Sequence, residues 1–504
     1  MANSMKFAKP DEKSFEILLE LVNGIKNEGS VLESKLYLAL IYALYGIDNP
    51  LRYQDFPADP ASLEYPNSKE LYMANLAELF LYNKKMDKFH RILGTLEKIS
   101  ETSVIDVNDN PFYLHTRIAV LHAMAGDPPD YLMKTIKLIK KFPRRSPDTI
   151  LSINNILNTI VDVIILSGDG KALLPEITDL LEMVPRNRGR DNMGGYIARK
   201  LCMRNEIEPT NNISCIEFAK DKLLPDIRDG TEIDFTKIQM AIALSRYTSS
   251  DRETSEEMKA LSLSLINECE SKLKNCRNAE EKTMIKFNLL RGYDQVGLGK
   301  AALSLKNDLI KDFNKDIEFF KSTMNKIETL KKMNNNRLPD DIAEIEDDTL
   351  EMAEGTFSAI PLSLVMAGHY SDNEQFALEC LSDAENMSSE IPFMDLGKDI
   401  LCRVAVAYAY WGMKDRSLKL FKGITEIISQ HPEPDSTDEF MDIFTDNAGE
   451  AFQFAPEPEL IHIWENLGKE LKLCKSKHEE SVKFLLNDIF RHKRTWFWNL
   501  SFSD

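Results

Sequence analysis

The sequence predicts an all-α protein, built as an α-solenoid of about ten stacked helical hairpins, in one continuous block or two. The first observation is periodicity, because apolar residues recur three and four positions apart in segments of 12 to 18 residues along nearly the whole chain. The second is composition, because 21 glycines and 21 prolines among 504 residues are few for a β protein with a turn every ~10 residues. The third is an internal repeat of about 40 residues.

Each repeat pairs a helix that carries a small or aliphatic residue near its middle with a turn former seven positions later and a second apolar helix. The mid-helix positions are Ala39, Ala77, Ala119, Val161, Ala198, Ala243, Leu290, Val365, Ala405 and Ala448. The turn positions are Gly46, Lys84, Gly126, Gly168, Asn205, Ser250, Gly297, Asp372, Gly412 and Ala455. A small side chain lets a partner helix approach closely, and glycine supplies the left-handed backbone that ends a helix. Since one hairpin cannot bury its apolar face alone, we expect consecutive hairpins to stack.

This pattern resembles the tetratricopeptide repeat family, most clearly over 401–424 and 361–386. The first segment follows that family's order of an apolar, a small and an aromatic residue, a glycine, and then small, aromatic and apolar residues again. The resemblance implies stacked helical hairpins with an extended protein-binding surface. The period of about 40 residues departs from the family's ~34, so a HEAT-like or otherwise degenerate hairpin array is the alternative.

The spacing also predicts where the array is interrupted. The step from Leu290 to Val365 is 75 residues, which predicts one irregular helical unit inserted there. Within that step, 333–355 carries Pro339 and a run of acidic residues that is typical of a boundary or linker. We therefore predict an N-terminal block over 1–332, an acidic linker or irregular unit over 333–355, and a C-terminal block with an aromatic tail over 356–504.

The negative charge is concentrated in one third of the chain. The net charge is −19, and residues 301–450 contribute 14 basic and 30 acidic side chains. No lysine or arginine lies between Arg337 and Lys398. The residues predicted to bind a partner there are Asp340, Asp341, Glu344, Glu346, Asp347, Asp348, Glu351 and Glu354. Such a surface attracts a basic protein segment, and a solvated face that keeps the protein soluble is the alternative.

The C-terminal tail is the second predicted contact region. It places Trp496 and Trp498 in an aromatic segment that directly follows Arg491, Lys493 and Arg494. One interpretation is an anchor for a partner groove or a membrane surface. The other is a tail that folds back as the cap that a repeat array needs.

Basic clusters lie at 134–145 and 186–190, and Phe142 is the one aromatic residue among them. We interpret them as solvated faces, although a phosphate or an acidic partner would also fit. The overall acidic balance argues against a nucleic-acid ligand.

The sequence contains no catalytic, phosphate-binding or metal-binding motif. The segment 297–300 resembles a phosphate loop, but Asp294 and Ala301 stand where that motif requires glycine and a hydroxyl residue. His115 and His122 are seven residues apart on one predicted helix, a spacing that favours packing over metal binding. Seven cysteines without a C-x-x-C motif are typical of reduced core thiols. We expect no catalytic residue, no cofactor and no metal.

These observations predict a scaffold or adaptor that binds a protein or peptide, with a basic segment as the favoured partner. A regulatory sensor for a peptide or small ligand is the alternative, and an all-α enzyme without a local motif is the third hypothesis. Residues 1–10 lack the apolar core of a secretion signal, and no stretch of ~20 apolar residues that would span a membrane was found. The expected location is therefore the cytoplasm.

Overall fold

The protein is all-α, as predicted. The described part of the computed structural model contains 21 α-helices and no β-strand. It comprises residues 12–47, 50–51, 56–57, 66–102, 112–142, 147–167, 171–207, 213–247, 252–333, 340–391, 394–430, 437–471 and 475–500. These helices form two compact units. The N-terminal unit is Phe15–Leu265 with Cys474–Asp504, and the central unit is Ile266–Leu473 with Met1–Ser14.

Twelve helices lie wholly or mostly in the N-terminal unit. They are α1 (Glu12–Gly24), α2 (Glu28–Tyr45), α3 (Pro66–Tyr82), α4 (Met86–Thr102), α5 (Tyr113–Met124), α6 (Asp130–Ile139), α7 (Pro147–Ser167), α8 (Leu174–Met183), α9 (Arg188–Ile207), α10 (Ile213–Phe218), α11 (Gly230–Ser245) and α21 (Lys475–Leu500). α12 (Arg252–Asn275) runs from this unit into the central one. The central unit continues with α13 (Ala279–Gln295), α14 (Gly299–Met333), α15 (Asp340–Tyr370), α16 (Glu374–Glu390), α17 (Met394–Tyr410), α18 (Lys414–Gln430), α19 (Thr437–Phe454) and α20 (Pro458–Glu470).

Packing in the N-terminal unit follows the order of a solenoid. The first helix of each hairpin packs on the first helix of the next, along the series α2, α3, α5, α7, α9 and α11. The intervening helices α4, α6 and α8 pack beside them as the second helices of the hairpins. We call this series, together with α21 against α2, the front layer. The stacked arrangement predicted from the repeat is thereby confirmed for this unit.

The central unit repeats the same arrangement. Its first helices α13, α15, α17 and α19 pack in series, and α14, α16, α18 and α20 complete the hairpins. The step of 75 residues has a simpler cause than the inserted unit predicted from the sequence. α14 has 35 residues and α15 has 31, so two long helices take up the extra length.

Five of the ten predicted turn positions adopt the predicted left-handed backbone. Asn205 does not, because α9 continues through it to Ile207. Gly46, Gly126, Gly297 and Gly412 have φ values of 65°, 79°, 84° and 75°. Lys84 occupies the equivalent turn with φ 55°, in the same left-handed region without the freedom of a glycine. Because Gly297 ends α13 in this way, the segment at 297–300 is a hairpin turn of the array.

The predicted mid-helix positions form the tight contacts between layers. All ten of them, from Ala39 to Ala448, have 3% exposure or less. Close approach is evident at Gly368 on α15, where an added Cβ atom would lie 2.9 Å from the carbonyl oxygen of Ala377 on α16. The core therefore lies between adjacent hairpins, as expected for an array in which each hairpin buries its apolar face on the next.

Within the described residues, one helix is long and apolar enough to span a membrane by its length and composition. The segment Thr149–Leu166 of α7 has a mean hydropathy of 1.7 over 18 residues, a longer apolar window than the sequence reading found. α7 packs against α5, α6, α8 and α9, and 61% of this window is buried. An all-round apolar helix is also typical of the core of a helical array.

Candidate interaction surfaces

The front layer of the N-terminal unit contains a buried polar cluster. The Glu78 carboxylate on α3 is fully buried and forms an ion pair with Arg117 on α5. It also accepts a hydrogen bond of 2.6 Å from the Tyr82 hydroxyl, and Arg117 donates a second bond of 3.1 Å to the Asn75 amide oxygen. Arg494 on α21 lies 3.5 Å from the same carboxylate. Burial alone would raise the pKa of Glu78, but Arg117, Arg494 and Tyr82 together hold that pKa below its ordinary value.

Further along the front layer, ion pairs join the next helices. Asp162 on α7 pairs with Lys200 on α9 at 2.7 Å, and Arg199 on α9 pairs with Glu232 on α11. Each pair joins two first helices of successive hairpins. These pairs therefore fix the register between hairpins, in the same way as Glu78 and Arg117.

The same layer exposes large side chains beside these pairs. Tyr113 on α5, Leu151 on α7 and Tyr196 on α9 are 48%, 52% and 46% exposed. On α7, the partly exposed asparagines Asn155 and Asn158 follow Leu151 at helical spacing. Tyrosine and asparagine together supply contact area and adaptable hydrogen bonds, a combination common in protein-binding surfaces. The sequence did not indicate this face, because Tyr113 and Tyr196 are 83 positions apart and the residues of the face match no motif.

The two predicted packing histidines lie on either side of one tyrosine. His115 and His122 on α5 both stack on the ring of Tyr131, with ring centroids 6.0 Å and 5.5 Å away. The His122 ring nitrogens lie 2.7 Å from a Glu97 oxygen and 2.8 Å from an Asp127 oxygen. Within the described residues, no group of three or more His, Cys, Asp or Glu side chains could hold a metal ion.

A hydrogen-bond chain fixes the protonation of His115. The Ser100 hydroxyl donates to the Glu97 carbonyl at 2.7 Å, so at Ser100 the Tyr131 hydroxyl must be the donor, also at 2.7 Å. The Tyr131 oxygen is then the acceptor from Nδ1–H of His115 at 3.0 Å. Burial, reinforced by Lys134, lowers the pKa of His115, so the ring is neutral at pH 7. This network supports a structural role for the hairpin formed by α5 and α6.

The basic clusters make ion pairs with neighbouring hairpins. Lys134 pairs with Glu101 on α4 at 2.6 Å, and Lys140 pairs with Glu176 and Asp179 on α8 at 2.7 and 2.8 Å. In the second cluster, Arg186 and Arg190 both bind Asp226, at 3.1 and 2.5 Å, and Arg188 lies 3.6 Å from Asp229. These basic side chains thus form ion pairs between hairpins, which favours a structural role over a phosphate-binding site.

The predicted acidic residues lie on the first half of α15. The structure gives them a helical backbone from Asp340 onwards. The side chains of Asp340, Asp341, Glu344, Glu346, Asp347, Asp348, Glu351 and Glu354 lie outside the described residues. The division into blocks at 332 and 356 stays a prediction.

The predicted tail residues Trp496 and Trp498 belong to the last turns of α21. Their side chains also lie outside the described residues. The helix itself packs on α2 and reaches α7. The end of the chain is therefore a component of the N-terminal unit.

The central unit has an aromatic cluster that no sequence signal indicated. His369 on α15 lies between Tyr370 and Tyr410, with ring centroids 4.6 and 4.5 Å away, and Phe454 on α19 is 6.3 Å away. The Arg291 guanidinium stacks on Tyr370 at 4.4 Å. Burial, with a smaller contribution from Arg291, lowers the pKa of His369 to about 4. The ring is therefore neutral and acts as an aromatic packing group.

No family model matches the sequence, and no curated protein matches it. Among solved structures the chain is similar to a "Circular tandem repeat protein with novel repeat topology and enhanced subunit contact surfaces". That similarity has 14% identity and a TM-score of 0.25, over 95% of this chain and 99% of the other. The helices and their serial packing, independently of that match, define this chain as a helical-repeat protein.

Proposed function

We propose that the chain is a cytoplasmic interaction scaffold, not an enzyme, that binds a basic protein segment through the acidic half of α15. The stacked hairpins are in keeping with the tetratricopeptide-like resemblance of 361–386 and 401–424, because such arrays act as protein-binding surfaces. In the part of the chain that the structure describes, the polar and aromatic clusters named above serve packing between helices.

One observation carries the choice of surface. Residues 340–355 are part of one helix, α15. On a helix, positions three and four apart form one row, and Asp340, Glu344, Asp347, Glu351 and Glu354 follow that spacing. A row of like charges along ~20 Å of helix would attract a basic segment and speed its encounter.

The test is capture of partners by two charge variants that have the same net charge. The first reverses Asp340, Asp341, Glu344, Glu346, Asp347 and Asp348 to lysine. The matched control reverses six other acidic residues, all exposed on other helices: Glu182, Glu217, Asp221, Glu318, Glu328 and Glu470. We expect a basic protein to be captured by the unmodified chain and the control, and lost by the first variant. Equal capture by both variants would rule out this surface.

A second candidate function is a sensor for a peptide on the front layer. The exposed tyrosines Tyr113 and Tyr196, on either side of the asparagines of α7, favour it. Truncating both tyrosines to alanine would then abolish peptide binding and leave capture through α15 unchanged. Solution scattering with and without the bound peptide would show whether the protein changes its compactness, which a sensor requires and a plain scaffold does not.

A further inference from the structure

α21 packs beside α2 at one end of the front layer of the N-terminal unit. α21 lies alongside α2 in the same direction, as four successive contacts show. The Glu479 carboxylate accepts hydrogen bonds from the backbone N–H groups of Lys26 and Asn27 at 3.2 and 3.3 Å. One turn later Lys483 lies 3.5 Å from Glu33.

The contact continues towards the other end of α2. The Phe490 ring lies 5.9 Å from that of Tyr37, and the Lys493 ammonium lies 4.3 Å from the Tyr45 ring centroid. Between these polar ends runs a buried apolar stripe that consists of Val482, Leu485, Leu486, Ile489 and Phe490. The contact therefore has the apolar face, the register and the end-specific polar groups of a dedicated interface.

The connectivity of this interface is unusual. The N-terminal unit comprises Phe15–Leu265 and Cys474–Asp504, and the whole segment between them belongs to the central unit. α21 is therefore joined to the α2 of its own chain only by way of another unit. Local connectivity does not dictate which copy of α2 it meets. A terminal element that packs on a distant part of its chain can be exchanged between identical copies without new contacts.

Lys493 lies at the far end of this interface. Its side chain is buried, which lowers the pKa of the ammonium group to about 8, and the ring of Tyr45 lies against the charge.

We propose that α21 is an exchangeable clasp, and that two copies of this chain associate by each placing α21 on the α2 of the other. The helix that packs on α2 is thus either the chain's own α21 or the α21 of a second copy. The second copy satisfies every contact named above, because it supplies the same carboxylate, the same two lysines and the same apolar stripe. This inference is independent of the partner that the acidic half of α15 binds.

Cross-linking between two tagged copies tests the exchange. One copy carries Glu33→Cys on α2, and the other carries Lys483→Cys on α21. Both have Cys276→Ser, which removes a partly exposed thiol, and Cys474→Ser, which removes a thiol that lies outside the described residues. The copies are refolded together and treated with a short bifunctional thiol reagent. We expect a product that carries both tags, in an amount that rises with protein concentration.

A contact between hairpins within one continuous segment is the matched control. Lys140 on α6 lies 2.8 Å from Asp179 on α8. Copies with Lys140→Cys and Asp179→Cys are expected to give no product with both tags. A chain with both Glu33→Cys and Lys483→Cys reports whether α21 docks at all, because it then cross-links internally.

The outcome that overturns the proposal is internal cross-linking of the double variant without any product that carries both tags. If the substitutions prevent docking altogether, sedimentation of the unmodified protein after refolding decides. A monomer at every concentration would overturn the exchange, whereas a dimer whose amount rises with the protein concentration during refolding would support it.

Discussion

Arg494 and Glu78 are 416 residues apart in the sequence, and their side chains lie 3.5 Å apart in the N-terminal unit. The same Glu78 carboxylate binds Arg117 and accepts a hydrogen bond from Tyr82. Three helices, α3, α5 and α21, thus converge on one buried negative charge. A buried charge is tolerated only when its partners are complete, so this cluster makes correct docking of all three helices interdependent.

Loss of the central carboxylate is therefore expected to be costly. Glu78→Gln leaves the guanidinium groups of Arg117 and Arg494 without their shared counterion, and we expect it to lower the free energy of unfolding by about 3–5 kcal/mol. Denaturation by urea measures this. Glu101→Gln removes the exposed partner of Lys134 and serves as the control, with no measurable effect expected. Similar midpoints for the two variants would contradict the proposed role of Glu78.

The turn at Lys84 carries a strain that a glycine would release. Lys84→Gly is expected to raise the stability of the N-terminal unit by about 1 kcal/mol, because a left-handed backbone costs a residue with a Cβ atom roughly that much. The reverse change at the equivalent turn, Gly126→Ala, should destabilise it by about 1–2 kcal/mol. An added Cβ at Gly126 meets no atom within 4 Å, so any loss measured there comes from the backbone alone. Opposite shifts of the melting temperature are the expected result.

Two helical glycines in the central unit should respond in opposite ways to alanine. At Gly368 the new Cβ would lie 2.9 Å from both the Ala377 carbonyl oxygen and a Leu381 carbon, so α15 and α16 would have to separate. We expect a loss of about 1–3 kcal/mol. At Gly423 on α18 nothing lies within 4 Å, and alanine should stabilise the helix by about 0.5–1 kcal/mol. Thermal unfolding of both variants checks the pair, and two changes of the same sign would refute the close-contact interpretation.

Acid should destabilise the central unit through His369. Its pKa is about 4 in the folded state and 6.5 in the unfolded state, so the unfolded chain binds the proton more readily. Stability is then complete above pH 6.5 and falls by up to about 3 kcal/mol as the pH decreases to 4. His369→Phe keeps an aromatic ring between Tyr370 and Tyr410 and is expected to reduce this dependence. A variant with the same pH dependence as the unmodified protein would show that other groups cause it.

The repeat could be predicted from the sequence because its signals are local. A glycine seven residues after a small mid-helix residue specifies a left-handed turn, and Gly46, Gly126, Gly297 and Gly412 confirm it. The 75-residue step was interpreted wrongly as an inserted unit, because Pro339 and the acidic run suggested a break. Helix length depends on packing, and the long α14 and α15 stabilise each other through contacts such as Phe313 with Phe357.

The candidate surfaces were harder to predict. Glu78, Arg117 and Arg494 are ordinary charged residues in the sequence, and only tertiary packing brings them together. The same holds for the position of α21, since no periodicity reports which distant helix a segment packs on. Lys134 and Lys140 were predicted to lie on a solvated face, whereas they pair with carboxylates of neighbouring hairpins, which only tertiary packing brings within reach.

The contact of α21 with α2 can form only after the residues between the two helices have been synthesised. About 430 residues separate the end of α2 at Tyr45 from the start of α21 at Lys475. At ~5–20 residues per second, a ribosome needs roughly 20–90 seconds to make that interval. During this time the newly made α2 edge has no cover, so the nascent chain offers an apolar helix face to chaperones before α21 emerges. The synthesis of α21 thus decides when the apolar face of α2 is protected from aggregation.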